Sequence, residues 1–150
     1  MAEERPIADF TVEKPGEGIR LLVEATNTTA PSREWAARFL RNLFVHAEIP
    51  PSEYFLLALR DHLYLWRHPS PGAMAPDFES DTATALRPYL ARLHGTLENI
   101  SESGFELLIH AWLSDLVAGT LPPTDDPSWL EESGLADSVR DGSIRSNIAA

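Results

Sequence analysis

The sequence predicts a single α/β domain: a small mixed β-sheet with a strand-strand-helix-strand-strand core, flanked by C-terminal helices. Three observations support this prediction. Apolar runs flank the turn sequence PGEG at 15–18, an amphipathic helix pattern starts near residue 33, and an unbroken apolar run fills 54–59. A helix that connects strands usually covers one face of their sheet, so this order is typical of an α/β fold. The length of 150 residues fits one domain.

The two apolar runs at 8–14 and 19–27 predict a β-hairpin, because proline and glycine in PGEG supply the turn. The helix that follows has Ser32 as a suitable N-cap. Its apolar residues recur at three- and four-residue spacing, which indicates one buried face. The helix is expected to end before Pro50.

The runs 54–59 and 63–67 predict two further strands around a tight turn, and the first lacks polar alternation, which is typical of a strand covered on both faces. These strands complete a predicted core over 7–67. Proline and glycine predict a loop over 68–81. A helical part over 82–140 and a polar tail over 141–150 follow. Within the helical part, helices are predicted over 83–94 (interrupted at Pro88), 102–118 (capped by Ser101 and ended by Gly119) and 128–140.

The composition excludes several classes of protein. Hydrophobic residues make up 43% and charged residues 23%, close to ordinary globular usage. The absence of cysteine excludes disulfides, thiolate nucleophiles and zinc–cysteine sites. The start MAEERPIADF lacks the apolar segment of a secretory signal, and no window reaches the ~18 apolar residues of a membrane span. We therefore expect a cytoplasmic protein without a membrane partner.

The net charge of −11 is unevenly distributed. Residues 1–97 contain 13 acidic and 10 basic residues, and residues 98–150 contain 10 acidic and 2 basic residues, a net −8. This acidic C-terminal third would repel phosphate, so nucleic acid is a disfavoured partner. Five arginines of the first part could form a local basic face or could be solvated element ends: Arg33, Arg38, Arg41, Arg60 and Arg67.

The hairpin register brings two carboxylates together. If PGEG is a four-residue loop, paired positions set Glu13 opposite Arg20 as an ion pair, and Asp9 opposite Glu24. Thr26 shares the face of Glu24 because side chains alternate. Facing carboxylates repel unless a cation is bound, and Mg²⁺ takes one or two carboxylates in phosphate chemistry. Asp9 and Glu24 are therefore candidate Mg²⁺ ligands; alternatively the register is shifted, or Glu24 is a solvated strand end.

Asp9 in the context Ala8-Asp9-Phe10, Glu24 on the next strand, and the later segment YFLLALRDHLYLWR resemble the core of the PD-(D/E)XK nucleases, the restriction-endonuclease-like fold. The segment is similar to the N-terminal nuclease domain of type I restriction subunits. The resemblance covers roughly 7–67 and rests on the order of the motif and of the elements. It implies that Asp9 and Glu24 hold a metal ion and activate water for phosphodiester cleavage.

The sequence departs from this family at two motif positions. Ala8 stands where the motif opens with proline, and Thr26 stands where the family has its lysine. The lysine is implied to orient water and to offset charge on the phosphate, and loss of such a donor commonly costs about 10²–10³ in rate. The single lysine, Lys14, is predicted at the far end of the hairpin and on the opposite face. Arg33 or Arg38 is the other candidate replacement.

The remaining polar and aromatic features are interpreted structurally. Pro76-Asp77, with Glu79 and Asp81, predicts a solvated acidic loop, because no acidic-X-Lys strand follows. His110 lies in an apolar helix and is expected to be a hydrogen-bonded core residue. The four tryptophans are spaced as core or interface anchors: Trp35, Trp66, Trp112 and Trp129.

Three hypotheses follow. The first is a degenerate nuclease-like protein with catalytic candidates Asp9, Glu24 and Thr26, which binds a protein partner or itself through its acidic C-terminal helices, including the segment 129–139. The second is a metal-dependent nuclease in which another residue replaces the lysine. The third is an unrelated α/β interaction module in which Glu24 is incidental.

Overall fold

The computed structural model describes residues 8–29, 32–72, 75–93 and 96–147. Within these ranges the predicted mixed α/β class is confirmed. The elements, in chain order, are β1 (Phe10–Lys14), β2 (Gly18–Thr26), α1 (Arg33–His46), β3 (Tyr54–Leu59), β4 (His62–Arg67), β5 (Phe78–Asp81), α2 (Thr82–Ala85), α3 (Arg87–Leu90), α4 (Glu102–Ala118), α5 (Ser128–Ser133), α6 (Leu135–Val139) and β6 (Ser143–Ser146).

The strands form one mixed sheet in the order β5-β4-β3-β2-β1-β6. β2 and β3 are parallel, and the other neighbouring pairs are antiparallel. Parallel neighbours require a crossover connection, which α1 supplies. As a result, the carboxyl ends of β2 and β3 lie at the same end of the sheet.

Helices cover the two faces of the sheet unequally. On the α1 face, Ala36 and Leu40 of the helix pack against buried strand residues: Leu22, Phe55, Leu57, Leu59, Tyr64 and Trp66. On the α4 face, helices α2 to α6 pack against the other set: Phe10, Val12, Leu21, Val23, Ala25, Tyr54, Leu56, Ala58, Leu63 and Leu65. All six residues of β3 are buried, as its unbroken apolar run predicts.

The predicted helix ends are confirmed where capping residues specify them. The Ser32 hydroxyl accepts the N–H of Trp35 (3.1 Å) at the start of α1. The Ser101 hydroxyl accepts the N–H of Gly104 (3.0 Å) at the start of α4. Gly119, at a φ of 76°, ends α4 in the left-handed conformation that glycine adopts without strain.

The predicted hairpin register is right on one side of an irregularity and wrong on the other. Residues 10–12 pair with 21–23 as predicted, which places Phe10 and Val12 on the apolar α4 face. The register then shifts by one, so Glu13 pairs with Ile19. Arg20 is the extra residue of this bulge, and its predicted ion pair with Glu13 does not form.

Arg20 instead connects three parts of the chain. Its guanidinium forms an ion pair with Glu53, just before β3, and its Nε donates to the Ser138 hydroxyl of α6 (3.1 Å). The Ser138 hydroxyl donates to the Glu53 carboxylate (3.0 Å). Glu13 Oε1 instead forms an ion pair with Nη1 of Arg145 in β6 (3.7 Å). The bulge therefore directs Arg20 to α6 and β3 rather than across the hairpin.

Two segments without a predicted strand form the edges of the sheet. Residues 78–81, in the predicted loop 68–81, form β5 on β4, and residues 143–146, in the predicted tail 141–150, form β6 on β1. Their sequences, FESD and SIRS, are mostly polar. Such polar segments form strands because they pair with a neighbouring strand, and not because their residues prefer the strand conformation. The ends of the predicted domain, 1–7 and 148–150, lie outside the described residues.

The predicted helices 83–94 and 128–140 are each replaced by two short helices. Pro88 falls in the first turn of α3, and Gly134, at a φ of 76°, separates α5 from α6. In the segment 129–139, Trp129, Leu135 and Val139 are buried in the core, and Leu130 and Ala136 are partly buried. Self-association through this segment stays a prediction. In the described ranges, no helix is long and apolar enough to cross a membrane.

Gly142 tests the close packing of β6 onto β1. A Cβ there would lie 2.7 Å from Val12 Cγ1 and 3.0 Å from the Val139 carbonyl oxygen. Because the backbone must move to admit a methyl group, we expect Gly142→Ala to lower the free energy of unfolding by about 1–3 kcal/mol, measured by urea denaturation. Gly72→Ala is the control, since nothing lies within 4 Å of a Cβ there. Equal stability of the two variants would contradict this packing.

Candidate functional site

The predicted site residues lie at the end of the sheet where β2 and β3 terminate. Glu24 and Thr26 pair with Leu57 and Leu59 of β3. These leucines belong to the α1 face, so Glu24 and Thr26 also lie on that face by strand alternation. Both are partly buried. The prediction that they share one face is therefore confirmed.

Asp9 lies just before β1 and is held against the end of β2. Its N–H donates to the Val23 carbonyl (2.8 Å), and its Oδ2 accepts the N–H of Ala25 (2.7 Å). Ala25 is the residue between Glu24 and Thr26, so the Asp9 carboxylate reaches the predicted site. Asp9 is not a ladder partner of Glu24, because the ladder begins one residue later. A side-chain-to-backbone hydrogen bond takes the place of the predicted cross-strand pair.

A third carboxylate, Glu106 of α4, belongs to this region and was not found from the sequence. Burial raises the pKa of Glu106, and the charges of Asp9 and Glu102 raise it further. Asp9 therefore also acts electrostatically on the α4 face. The available signal was one acid inside the apolar stretch FELLIH at 105–110. That Glu106 lies near Asp9 follows only from the packing of α4 against the sheet.

The predicted metal ligands are two carboxylates, Asp9 and Glu24. Within the part of the chain that the structure describes, no three Asp, Glu or His side chains are grouped to hold a metal ion. The Oδ2 of Asp9 accepts the N–H of Ala25. Mg²⁺ needs only one or two carboxylates because it keeps several waters. The donor set therefore suits Mg²⁺ better than a cation that needs a full protein cage.

Thr26 stands where the resemblance implies a lysine, and its side chain contacts another hydroxyl group. Its Oγ1 lies 3.1 Å from that of Thr28. Lys14, the single lysine, pairs with Gly18 at the turn end of the hairpin. Lys14 lies five residue steps of extended chain from Asp9, a span of about 17 Å. Lys14 therefore does not replace the motif lysine.

The two candidate arginines, Arg33 and Arg38, are described by their contacts and exposure. Arg33 Nη2 donates to the Pro76 carbonyl (2.5 Å), and its Nη1 donates to the Glu79 carboxylate of β5 (3.2 Å). Arg38 is exposed on α1. Arg60, which follows β3, lies closer to the site in the chain path, because its N–H donates to the Thr28 carbonyl (3.0 Å). The helix between β2 and β3 predicts a parallel crossover, and this places the residue after β3, Arg60, near the end of β2.

One further prediction is confirmed and one is corrected. The acids of the predicted solvated loop, Asp77, Glu79 and Asp81, are exposed, although Asp77 accepts the N–H of Arg67 (2.8 Å) and Asp81 caps α2. His110, expected in the core, is exposed on α4, and its ring lies 5.5 Å from that of Phe10. Helix periodicity could not predict that His110 is exposed, because apolar residues occur on nearly every side of α4.

The electrostatic environment at this end of the sheet is acidic. Burial, followed by the charges of Glu79 and Asp61, raises the pKa of Tyr64 on the α1 face. On the α4 face, burial and then the charges of Asp9 and Glu102 likewise raise the pKa of Glu106. These carboxylates disfavour a phosphodiester nearby unless a bound cation offsets their charge.

Asp9 substitutions test the hydrogen bond to Ala25. We expect Asp9→Ala to lower the free energy of unfolding by about 1–3 kcal/mol, because the Ala25 N–H loses its acceptor in a partly buried place. Asp9→Asn keeps an acceptor oxygen, so its loss should be smaller. Urea denaturation of both variants measures the difference. Wild-type stability in Asp9→Ala would contradict the contact.

Glu106→Gln tests the raised pKa of Glu106 through the pH dependence of stability. A carboxyl with a raised pKa in the folded chain binds its proton more strongly there, so its ionisation destabilises the fold as pH rises. Glu106→Gln should therefore be more stable than the wild type at pH 7. The gain should disappear as pH falls below 4.5, the ordinary value for this group. A gain of the same size at pH 4 and pH 7, by urea denaturation, would contradict a charge effect.

Comparison of the chain with family models, curated proteins and solved structures finds no match. The resemblance of residues 7–67 to PD-(D/E)XK nucleases therefore rests on the order of acids, strands and helix in this chain. The fold itself is a six-stranded mixed α/β sheet whose β2 end brings Asp9 to the Glu24–Thr26 segment.

Proposed function

We propose that this chain is a degenerate PD-(D/E)XK nuclease-like protein, with reduced or lost cleavage activity, that acts by binding a protein partner. The observation that carries the proposal is the hydrogen bond between the Asp9 carboxylate and the Ala25 N–H. It brings the first candidate acid to the segment that carries the second, Glu24. Two acids from neighbouring strands are what the motif requires at this place.

The order and direction of the strands support the same proposal. An antiparallel hairpin, the crossover helix α1, parallel β3 and antiparallel β4 agree with the strand-strand-helix-strand-strand core that the resemblance implies. Asp9, Glu24 and Thr26 lie at the carboxyl ends of the parallel strands. Open α/β sheets bind their ligands at such ends.

Reduced catalysis follows from the absence of a lysine at the motif position, Thr26. Thr26 is uncharged, Lys14 lies at the other end of β1, and Arg33 is engaged by Glu79. A positive donor at the phosphate stabilises charge that develops in the transition state, and its loss commonly costs about 10²–10³ in rate. The acidic surroundings lower the affinity for a phosphodiester as well.

The retained acids keep a metal-dependent nuclease as the second candidate. In that case Asp9 and Glu24 would hold Mg²⁺, which supplies charge neutralisation and a more acidic bound water. Asp9 would be oriented by the Ala25 N–H, and Glu24 by its place in β2. The positive donor would then have to come from another residue.

The partner contact is proposed on the acidic C-terminal helices. Residues 98–150 carry a net −8, which suits a basic partner surface. Among the described residues, the large exposed apolar side chains are Val45 (75% exposed) on α1 and Leu107 (71% exposed) on α4. They lie on opposite faces and form no patch, so the proposed contact is electrostatic rather than apolar.

Cleavage assays with Mg²⁺ or Mn²⁺ and varied DNA and RNA substrates test the proposal. We expect the wild type to cleave no faster than Asp9→Ala or Glu24→Ala. Thr26→Lys should gain metal-dependent cleavage of about 10²-fold, because it restores the missing donor. Thr26→Gln is the matched control, since it places a long polar side chain without a charge at the same position and should gain nothing.

Two outcomes would contradict the proposal. Wild-type cleavage that disappears in Asp9→Ala and Glu24→Ala would establish the active nuclease instead. A folded Thr26→Lys variant without activity would remove the support for nuclease ancestry and favour the unrelated α/β interaction module.

A further inference from the structure

An apolar pocket of about 340 Å³ lies among the C-terminal helices and the loop 120–127. Its size is at the lower end of pockets that hold ligands, about 300–1,000 Å³. Asp9, Glu24 and Thr26 do not line it, so it is separate from the candidate nuclease-like site.

The accessible walls of this pocket are mainly aliphatic. The rings of Tyr89, Trp112 and Trp129 line it but are only 1–4% exposed, so they lie behind its surface. The partly buried lining residues present more surface to an entering group: Leu121, Pro122, Thr124, Leu130 and Ala136. Four of these five side chains consist of carbon alone, so the pocket suits an apolar group rather than a charged one.

The segment that supplies most of the walls is acidic on its outer side. Residues 120–137 contain five acidic residues and no basic residue. All five are exposed: Asp125, Asp126, Glu131, Glu132 and Asp137. Two of them form ion pairs, Asp125 with Arg87 (2.6 Å) and Asp137 with Arg140 (3.4 Å). Even with both arginines included the charge around the pocket is negative, so a partner with basic residues is complementary to it.

We propose that this pocket binds one apolar side chain of about the size of leucine, carried by a basic segment of a protein partner. The inference rests on the partner contact proposed for the acidic C-terminal helices and adds the point at which that partner is held. Exposed charge pairs contribute little affinity. An apolar side chain that leaves water for a pocket contributes more, while the lysines or arginines beside it stay solvated near the acids.

The peptide acetyl-KKLKK-amide, titrated into the full chain at low ionic strength, is the first probe. The methyl NMR signals of Leu121 and Leu130 should shift saturably, whereas those of Leu40, in the core of the α1 face, should not. Acetyl-KKSKK-amide has the same charge and should bind about tenfold more weakly, because its serine buries little apolar surface.

The two peptides separate this inference from the proposed partner contact. Equal affinities of the leucine and serine peptides would overturn the apolar anchor and leave an electrostatic contact with a basic partner. Absence of saturable shifts with either peptide would overturn both the anchor and the proposed contact on these helices.

Ala136→Leu tests the pocket by filling it from α6. It should lower the affinity for acetyl-KKLKK-amide about tenfold, to that of the serine peptide, because the leucine of the peptide can no longer enter. Ala111→Leu is the matched control, since it is exposed on α4 outside the pocket and should keep the preference for leucine. Urea denaturation checks that Ala136→Leu is folded, and a folded variant that keeps the preference would contradict the proposal. If it does not fold, the two peptides on the wild type decide.

Glu131→Gln tests the acidic surroundings of the pocket. It should weaken the binding of acetyl-KKLKK-amide by about threefold, because an exposed charge contributes modestly. Glu17→Gln removes the same charge at the exposed turn of the hairpin, which does not line the pocket, and should bind as the wild type does. Equal affinities of the two variants would overturn the placement of the basic residues beside this pocket.

Discussion

Strand β3 pairs in parallel with β2 and is buried along its whole length, and this pairing constrains the rest of the molecule. Parallel neighbours require a crossover, so α1 must cover one face of the sheet. The other face then needs a second layer, which α4 and the short helices provide. Burying an apolar strand from both sides also excludes water from its neighbours, so β2 and β4 carry apolar residues on both faces as well.

The same pairing separates the sheet into two chemically different ends. At the carboxyl ends of β2 and β3, polar groups gather because these strands stop there together: Asp9 on the Ala25 N–H, then Glu24, Thr26 and Arg60. At the opposite end, the bulge in β2 sends Arg20 to Glu53 and Ser138, which ties the entry of β3 to α6. One end is thus fixed by an internal ionic network. At the other end, burial, and then the charges of Asp9 and Glu102, raise the pKa of Glu106.

The two faces of the sheet are held in different ways. At the carboxylate end, Asp9 and Glu24 are fixed through backbone pairing of the strands. On the α4 face, helices and the loop 120–127 hold Trp112 and Trp129 through side-chain packing.

The sequence by itself determined the elements whose signals are local: the hairpin, α1 with its Ser32 cap, the buried strands β3 and β4, and α4 between Ser101 and Gly119. Periodicity, caps and turn residues act over a few positions, so they can be read along the chain. Tertiary structure decided the polar edge strands β5 and β6, the bulge at Arg20, the approach of Glu106 to Asp9 and the exposed position of His110. Each of these depends on a partner distant in sequence, because a backbone ladder, an ion pair or a buried charge is defined only once that partner is in place.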